Sequence, residues 1–349
     1  MIDYILVGLG LGGISIAQEF RKRKKTFLVY EDNSQQASTV AGGIINPVNL
    51  KRFTLAWEVK NHLNYAIPFY EEIQKELDFS FLKKIEVYRR FSSIEEQNNW
   101  FLASDKTELQ NLLDPNLVKE INPHIKADYC FGKINNTAIL QTNDLIFQYK
   151  KMLSNLDLFL TEKFDHSKLK IDSNFVQYNG IKAKSIVFCE GFGMKSNPFF
   201  NNLPLIGNKG EYIIIQAPNL KLDVVVKSSV FIIPLGNDTY KIGATYRHGD
   251  YTSSPTTEIR EILEKQVKEL LSCDFEIIDQ EAAIRPATID RKPLLGRHPS
   301  HKNLYICNGF GSRGISMAPS LAKDLLDFME EKKPLDPEIN IERFSSDLV

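Results

Sequence analysis

The sequence predicts an α/β protein in two interleaved parts. Three stretches predict it: a glycine-rich turn between an apolar strand and a helix at the amino terminus, a late buried strand that ends in a glycine turn, and a β-rich middle with hairpin signals. Tyr4-Ile5-Leu6-Val7 runs into Gly8-Leu9-Gly10-Leu11-Gly12-Gly13, and then into a helical pattern with Ile14, Ala17 and Phe20 on one face. Gly8 permits the tight turn out of the strand, Gly10 lets the backbone approach a pyrophosphate, and Gly13 lets helix and sheet pack closely. Phosphates would sit on free N–H groups at the positive end of the helix dipole. The second apolar run, Phe27-Leu28-Val29-Tyr30, ends at Glu31, where a carboxylate suits a ribose diol and argues against a 2′-phosphate. The unit is Rossmann-like and dinucleotide-binding, and by itself leaves NAD and FAD both open.

The elements follow in order. The stretch from Ser38 to Pro47 is rich in small residues and reads as bare backbone suited to close approach of a ligand, or as a plain flexible loop. A helical pattern runs from Phe53 to Leu77, with Trp57, Leu63, Ala66, Ile67, Tyr70 and Ile73, and a shorter one from Ser93 to Phe101. Strands are expected at Glu86 to Phe91 and Ala138 to Gln141, and Asn143-Asp144 offers a cap for a helix over Leu145 to Leu153. Ser185-Ile186-Val187-Phe188-Cys189-Glu190-Gly191 reads as a later strand of the nucleotide-binding sheet. Glu211 to Gln216, Val224 to Pro234 and Tyr240 to Tyr246 suggest a separate antiparallel sheet, with Gly236-Asn237-Asp238 as a hairpin turn. Thr257 to Leu271 is an amphipathic helix carrying Ile259, Ile262, Leu263, Val267 and Leu270.

Composition sets the broad class. At 349 residues, 43% hydrophobic and 25% charged, the chain can fill two cores. A formal net charge of -1 exerts no global pull on nucleic acid or anionic membrane. Cys130, Cys189, Cys273 and Cys307 are scattered without metal-ligand spacing, as reduced thiols of a cytoplasmic protein would be. No apolar run reaches the ~18 residues of a membrane span, and the first strand begins almost at Met1, so the cytoplasm is the expected location. No linker separates two beads, so two domains must interleave. His248, His298 and His301 read as loop residues rather than metal ligands, and no Ser-His-Asp constellation stands out.

The closing part speaks for a flavin. Ala283-Ile284-Arg285-Pro286 precedes Pro293-Leu294-Leu295-Gly296, the strand Leu304 to Cys307, and Asn308-Gly309-Phe310-Gly311-Ser312-Arg313-Gly314. A helix follows with Ala318, Ala322, Leu325 and Met329 on one face and Pro319 expected in its first turn. This second glycine turn offers N–H groups that would stabilise negative charge on the N1–C2=O edge of a reduced flavin.

On these motifs the chain resembles the FAD-dependent amino-acid and amine oxidase family of D-amino-acid oxidase, glycine oxidase and sarcosine oxidase. The likeness runs from the Gly8 fingerprint through Ala37 to Pro47, Lys209-Gly210-Glu211, Gly243-Ala244-Thr245 with Gly249-Asp250, Ile284-Arg285-Pro286 and the final turn. That turn's wording also resembles the FAD domain of the bifunctional enzyme that modifies wobble uridine in tRNA. The resemblance implies an FAD-binding domain from residues 1–52, 150–205 and 283–349, and an α+β substrate domain from 53–149 and 206–282. It implies non-covalent FAD, since Cys307 lies within a strand. Leu9, Leu11 and Gly12 would meet the pyrophosphate and Glu31 the ribose, with Gly13 and Gly191 completing the nucleotide end. Val40, Ala41, Gly42 and Gly43 would flank the isoalloxazine, as would Gly311, Ser312, Arg313, Gly314 and Ile315.

The resemblance also implies that Arg285 pairs bidentately with a substrate carboxylate and aims the Cα–H of an amino acid at the flavin. The alternative is a surface arginine, or one tied to Asp290. Two departures qualify the likeness. Phe231 stands where glycine oxidase-like members carry a tyrosine hydroxyl, a loss worth roughly 1–3 kcal/mol at a buried carboxylate site. The glycine turn carries Arg313 where glycine oxidase has its charged side chain one place earlier, so Arg313 either rescues that site or caps the helix region from outside; Tyr246 and Arg247 either line the substrate side or belong to a plain exposed strand. The implied function is hydride transfer from a small or secondary amino acid, with oxygen as acceptor. Two alternatives stand beside it. One is oxidation of a carboxymethylaminomethyl group on tRNA, for which the basic run Arg21-Lys22-Arg23-Lys24-Lys25 reads more simply as the solvated end of the first helix. The other is electron transfer to a partner protein. Oligomeric state is not legible.

Overall fold

A computed structural model describes Met1–Asp347. Five strands form the parallel part of the first sheet, in the spatial order Phe159–Thr161, Phe27–Glu31, Ile2–Val7, Ile181–Phe188, Leu304–Asn308. The apolar runs Tyr4–Val7, Phe27–Tyr30, Ile186–Phe188 and Leu304–Cys307 suit a sheet covered on both faces. Leu294–Arg297 pairs antiparallel to the last strand, and a hairpin of Lys170–Ile171 and Val176–Tyr178 extends the near end of Ile181–Phe188. The chain leaves Ile2–Val7 toward one edge and later fills the other, so the order reverses between that strand and Ile181–Phe188. Gly8 and Cys189 stand at this switch point, where open α/β sheets hold ligands.

Helix α1 (Leu11–Lys22) packs on the sheet, its Ile14, Ala17 and Phe20 fully buried. α2 (Val59–Leu77), α3 (Ile94–Ser104), α4 (Thr142–Asn155), α5 (Thr257–Leu270) and α6 (Gly314–Glu331) follow. Ala66, Phe69, Tyr70 and Ile73 of α2, and Leu145, Tyr149 and Leu153 of α4, join the same core as α1 and α6. α3 instead packs through Trp100 and Ala103 on the second sheet.

That second sheet runs Glu276–Thr288, Leu205–Gln216, Thr239–Gly243, Phe231–Gly236, Val225–Lys227, Val87–Arg90, Phe131–Ile134, Leu113–Val118. All its neighbouring pairs are antiparallel except Val225–Lys227 with Val87–Arg90. One face, through Ile213, Ile215, Val226, Ile232 and Ile242, packs on Ile259, Leu263 and Val267 of α5. Period-two alternation turns the other face toward α3, through Val87, Ile134, Val225 and Ile233, and beyond it toward the site.

Several local expectations are corrected. The helix expected from Phe53 begins only at Val59, because Phe53 has φ 49° and Thr54–Leu55 pairs with Val48–Asn49. Gln141, not Asn143, precedes α4, and no side chain caps it. Ile262 faces outward, 42% exposed. Pro319 lies in the second turn of α6 rather than the first. Its missing N–H would free the carbonyl four residues earlier, and the Tyr70 hydroxyl donates to that Ile315 carbonyl at 2.9 Å. The basic run at the end of α1 is also far from simply solvated. Arg21 pairs with Glu76, Lys22 with Glu72 at 2.6 Å, Arg23 with Asp327 at 2.5 Å and Lys25 with Glu330 at 2.9 Å.

Candidate active site

A cavity of about 1330 Å³ opens at the switch point and runs onto the free face of the second sheet. Its nucleotide wall is made of backbone. Gly8, at φ +92°, would place a Cβ 2.4 Å from the Cys189 carbonyl, and Gly13 would place one 2.0 Å from the Gly8 carbonyl. Neither position accepts a side chain, which is how strand, turn and helix come so close. Gly8, Gly10, Leu11 and Gly12 line the cavity, whereas Leu9 and Gly13 stand behind it. Leu9 is buried and its N–H donates to Glu31 Oε2 at 2.6 Å, while Asn33 N–H donates to Oε1 at 2.6 Å. Glu31 thus arrives with both oxygens oriented and further lone pairs free. The Leu11 N–H meets Ser38 Oγ at 3.1 Å.

The second glycine turn meets the first. Gly311, Ser312, Arg313, Gly314 and Ile315 line the cavity, and a Cβ at Gly12 would lie 2.8 Å from the Phe310 ring. Gly191, at φ +57°, lines the nucleotide end, its carbonyl held by Asn308 Nδ2 at 2.8 Å. Val40, Ala41, Gly42 and Gly43 cross between the two walls. Lys241 Nζ donates to the Val40 carbonyl at 3.1 Å, and a Cβ at Gly42 would meet Ile233 Cδ1 at 2.8 Å and Tyr212 Oη at 3.1 Å.

Side chains build the opposite wall. Asn208 pairs in register with Arg285, and Tyr212 with Gly243, which pairs in turn with Phe231. Residues opposite one another share a face, so Arg285, Asn208, Tyr212 and Phe231 all line the cavity. Arg285 lies flat across Gly210, where a Cβ would come within 2.2 Å of Nη2. Its Nη1 donates to Asn208 Oδ1 and to the Thr245 carbonyl, each at 3.1 Å, and its Cζ stands 4.5 Å from the centre of the Tyr246 ring. Tyr246, 67% exposed, forms the rim. Among the described residues Arg285 has no carboxylate partner, since Asp290 pairs with Arg343 at 2.8 Å. Arg313 likewise has none among the described residues, and burial holds its guanidinium below its ordinary value.

Sequence reasoning missed Tyr212. Burial pushes its phenol up, while the nearby positive charge of Arg285 pulls the other way. Only the register, which seats it over side-chain-free Gly243, could have found it: a Cβ there would lie 2.7 Å from the ring. His248 also lines the cavity, its ring 3.2 Å from Asn208 Nδ2. Cys189 and Cys307 are buried neighbours, and burial followed by the Cys307 contact raises the Cys189 thiol well above its ordinary value.

A fully formed βα glycine turn, an oriented acidic strand end and a second helix start on one large cavity define a dinucleotide-dependent oxidoreductase. The chain belongs to the family of FAD dependent oxidoreductases, whose pattern it matches over residues 3–327. FAD fits what is present: Gly8, Gly10, Gly12, Gly311 and Gly314 of the two glycine turns line one cavity with bare backbone, and the cavity exceeds the roughly 300–1,000 Å³ of an ordinary small-molecule pocket. The chain is 23% identical to glycine oxidase of Geobacillus kaustophilus over 95% of its length and 93% of that protein. It is 28% identical to glycine oxidase of Pseudomonas aeruginosa, where the alignment spans 40% of this chain and 40% of the relative. A crystal structure of the Geobacillus kaustophilus glycine oxidase superposes with a TM-score of 0.81 at 20% identity, covering 98% of this chain and 97% of that one. No helix of the described residues is long and apolar enough to cross a membrane.

Proposed function

We propose that this enzyme oxidises a small or secondary amino acid at its amino-bearing carbon, with dioxygen as the final acceptor. The observation that carries the reading is Arg285: a guanidinium without a carboxylate partner among the described residues, laid over Gly210 and under Tyr246 on the cavity wall. Bound FAD supplies the two-electron acceptor. The chain's own residues supply position. Arg285 Nη2 and Nε are offered to a carboxylate, while Nη1 is anchored on Asn208 and Thr245, so the fork is oriented before substrate arrives. The Tyr212 phenol lines the same wall as Arg285 and would donate to that carboxylate, which answers the hydroxyl lost at Phe231. Arg313 adds positive charge from the start of α6, Phe231 and Ile233 exclude water, and Tyr246 closes the rim. Product leaves as an imine that water hydrolyses.

The same reading retains non-covalent FAD and the division into residues 1–52, 150–205 and 283–349 against 53–149 and 206–282. It favours a small substrate over tRNA, because the basic run beside α1 is committed to carboxylates of α2 and α6. The test is anaerobic flavin reduction by amino acids and by matched amines without the carboxylate. Arg285→Ala should lower kcat/KM by about 10²–10³-fold with FAD retained, and Arg285→Lys should rescue poorly because a point charge cannot replace the fork. Equal reduction by amines lacking a carboxylate would defeat the assignment. Arg313→Ala combined with Arg285→Ala should be non-additive if both arginines serve one carboxylate.

A further inference from the structure

The row of residues that places Tyr212 continues to a cation that the proposed reaction leaves unused. Phe231 pairs in register with both Gly243 and Lys227, and Lys227 pairs with Arg89 on the next strand. Lys227, Phe231 and Tyr212 therefore share the cavity face, and all three line it. Lys227 Nζ stands 4.7 Å from the centre of the Phe231 ring and donates to the Ser229 carbonyl at 2.8 Å. Among the described residues it has no carboxylate partner. Arg89 behind it is spent on Glu96 at 2.5 Å and on the Ser228 carbonyl at 2.6 Å. Burial, then the neighbouring Arg89, pulls the Lys227 ammonium down to about 8. Glu96 is the carboxylate in contact with this group of cations, and Arg89 already holds it.

The carboxylates that line the cavity stand at one end of it, where Lys163 and His166 line it as well. Its acidic lining residues, Glu31, Asp32, Glu162 and Glu190, follow the carboxyl ends of the parallel strands at the nucleotide end. The sheet face holds Arg285 and Lys227 and no carboxylate of its own among the lining residues. A substrate with one acid group satisfies Arg285 and leaves a half-buried ammonium across an aromatic floor.

We propose that Lys227 is the binding site for a second acid group of the substrate, so that the enzyme takes an amino acid with two anionic ends. One end sits on Arg285 and Tyr212, the apolar linker crosses Phe231, and the other end reaches Lys227. The inference rests on the amino-acid reading for which end reacts, but the two fail separately.

The experiment is a titration of the FAD holoenzyme with dicarboxylates and chain-matched monocarboxylates that carry no amine, followed by perturbation of the flavin absorbance. Wild type should bind the better-fitting dicarboxylates about 10-fold or more tightly than their monocarboxylate partners, the worth of one charged hydrogen bond. Lys227→Gln should bring that ratio toward one, and Lys227→Arg should keep most of it. Because only the ammonium attracts an anion, the ratio should fall in wild type as pH rises through about 8 and stay flat in Lys227→Gln. A ratio near one in wild type, or one unchanged by Lys227→Gln, overturns the proposal. So does a ratio that falls with pH equally in both proteins. Flavin reduction by N-carboxyalkyl against N-alkyl amino acids then tests the amino-acid reading: absence of reduction by either class defeats that reading, while the Lys227 titration still decides the second acid site by its own ratio.

Discussion

The two walls of the cavity are built from different materials. On the nucleotide wall the working groups are backbone amides, exposed because Gly8, Gly10 and Gly12 carry nothing and because two helices begin there. On the sheet wall they are side chains, aligned by register: Arg285 beside Asn208, and Tyr212, Phe231 and Lys227 across adjacent strands. A backbone site is specified by a local spacing of glycines. A side-chain site on a sheet is specified by which strands become neighbours, and a slip of one residue would turn every one of these groups into the opposite core.

Substitutions can break that contrast. Gly8→Val should have the largest effect, since it combines a strained φ of +92° with a Cβ 2.4 Å from the Cys189 carbonyl. Strain costs about 1–3 kcal/mol and overpacking a similar amount, so thermal stability and FAD content should fall together. Gly10→Val should separate them. Its Cβ meets the Ser38 hydroxyl at 2.8 Å, a side chain able to turn away, so the fold should persist while FAD is lost. A stable Gly8→Val holoenzyme would show that the turn does not constrain the nucleotide wall.

The sheet wall has its own buried anchor. Lys209 is fully buried, and its Nζ donates to Asp250 Oδ2 at 2.9 Å, Thr252 Oγ1 at 3.1 Å and the Ser254 carbonyl at 2.6 Å. Glu211 beside it holds Thr256 and Gln280. These bonds tie down the segment that follows Tyr246 and His248 on the rim. Lys209 Nζ is also 3.6 Å from Glu211 Oε1, so Lys209→Met should cost about 3–5 kcal/mol by leaving that buried carboxylate without its cation. It should raise KM more than it lowers FAD affinity, since the damage falls on the substrate wall. Calorimetry and FAD titration check it, and equal damage to both sites would erase the distinction between the walls.

A smaller effect sharpens the nucleotide side. Asp327 of α6 receives Arg23, just past the end of α1, at 2.5 Å and Lys323 at 2.6 Å, and so ties together the helices whose starts form the cradle. Burial would raise its carboxyl, but Lys323, Arg23 and Lys333 outweigh that and hold it at about 2. The stabilisation is therefore complete above the ordinary carboxylate value of 3.8 and is lost as pH falls through about 2. Asp327→Asn should lower Tm at pH 7 and pH 5 alike, the gap from wild type narrowing below pH 4. Breaking the more exposed Asp290–Arg343 pair should change stability by only about 0–1 kcal/mol and leave carboxylate recognition by Arg285 intact. A catalytic loss there would reopen the link between Asp290 and Arg285.

The helical pattern from Phe53 shows where periodicity overreached. Apolar residues continue back to Phe53, yet Phe53 is buried against Trp100 of α3 in a different core from that of α2. Spacing alone cannot tell that two apolar residues serve separate cores. Pro319 shows the converse: helix propensity argues for the first turn, and a hydroxyl from Tyr70, distant in sequence, makes the second turn tolerable.

Local sequence pattern was enough to specify four of the five parallel strands, both glycine turns and Glu31 at its strand end, but not the edge strand Phe159–Thr161. Each of these is a short-range demand: a positive φ, a missing Cβ, a run of apolar residues, an acid one step past a strand. Tertiary packing was needed to assign Asp290 to Arg343 and not to Arg285, to stand Tyr212 beside that arginine, and to end the same row at Lys227. Those relations join strands separated by long stretches of chain, and a pairing register arises from all the strands packing at once, which no local pattern encodes.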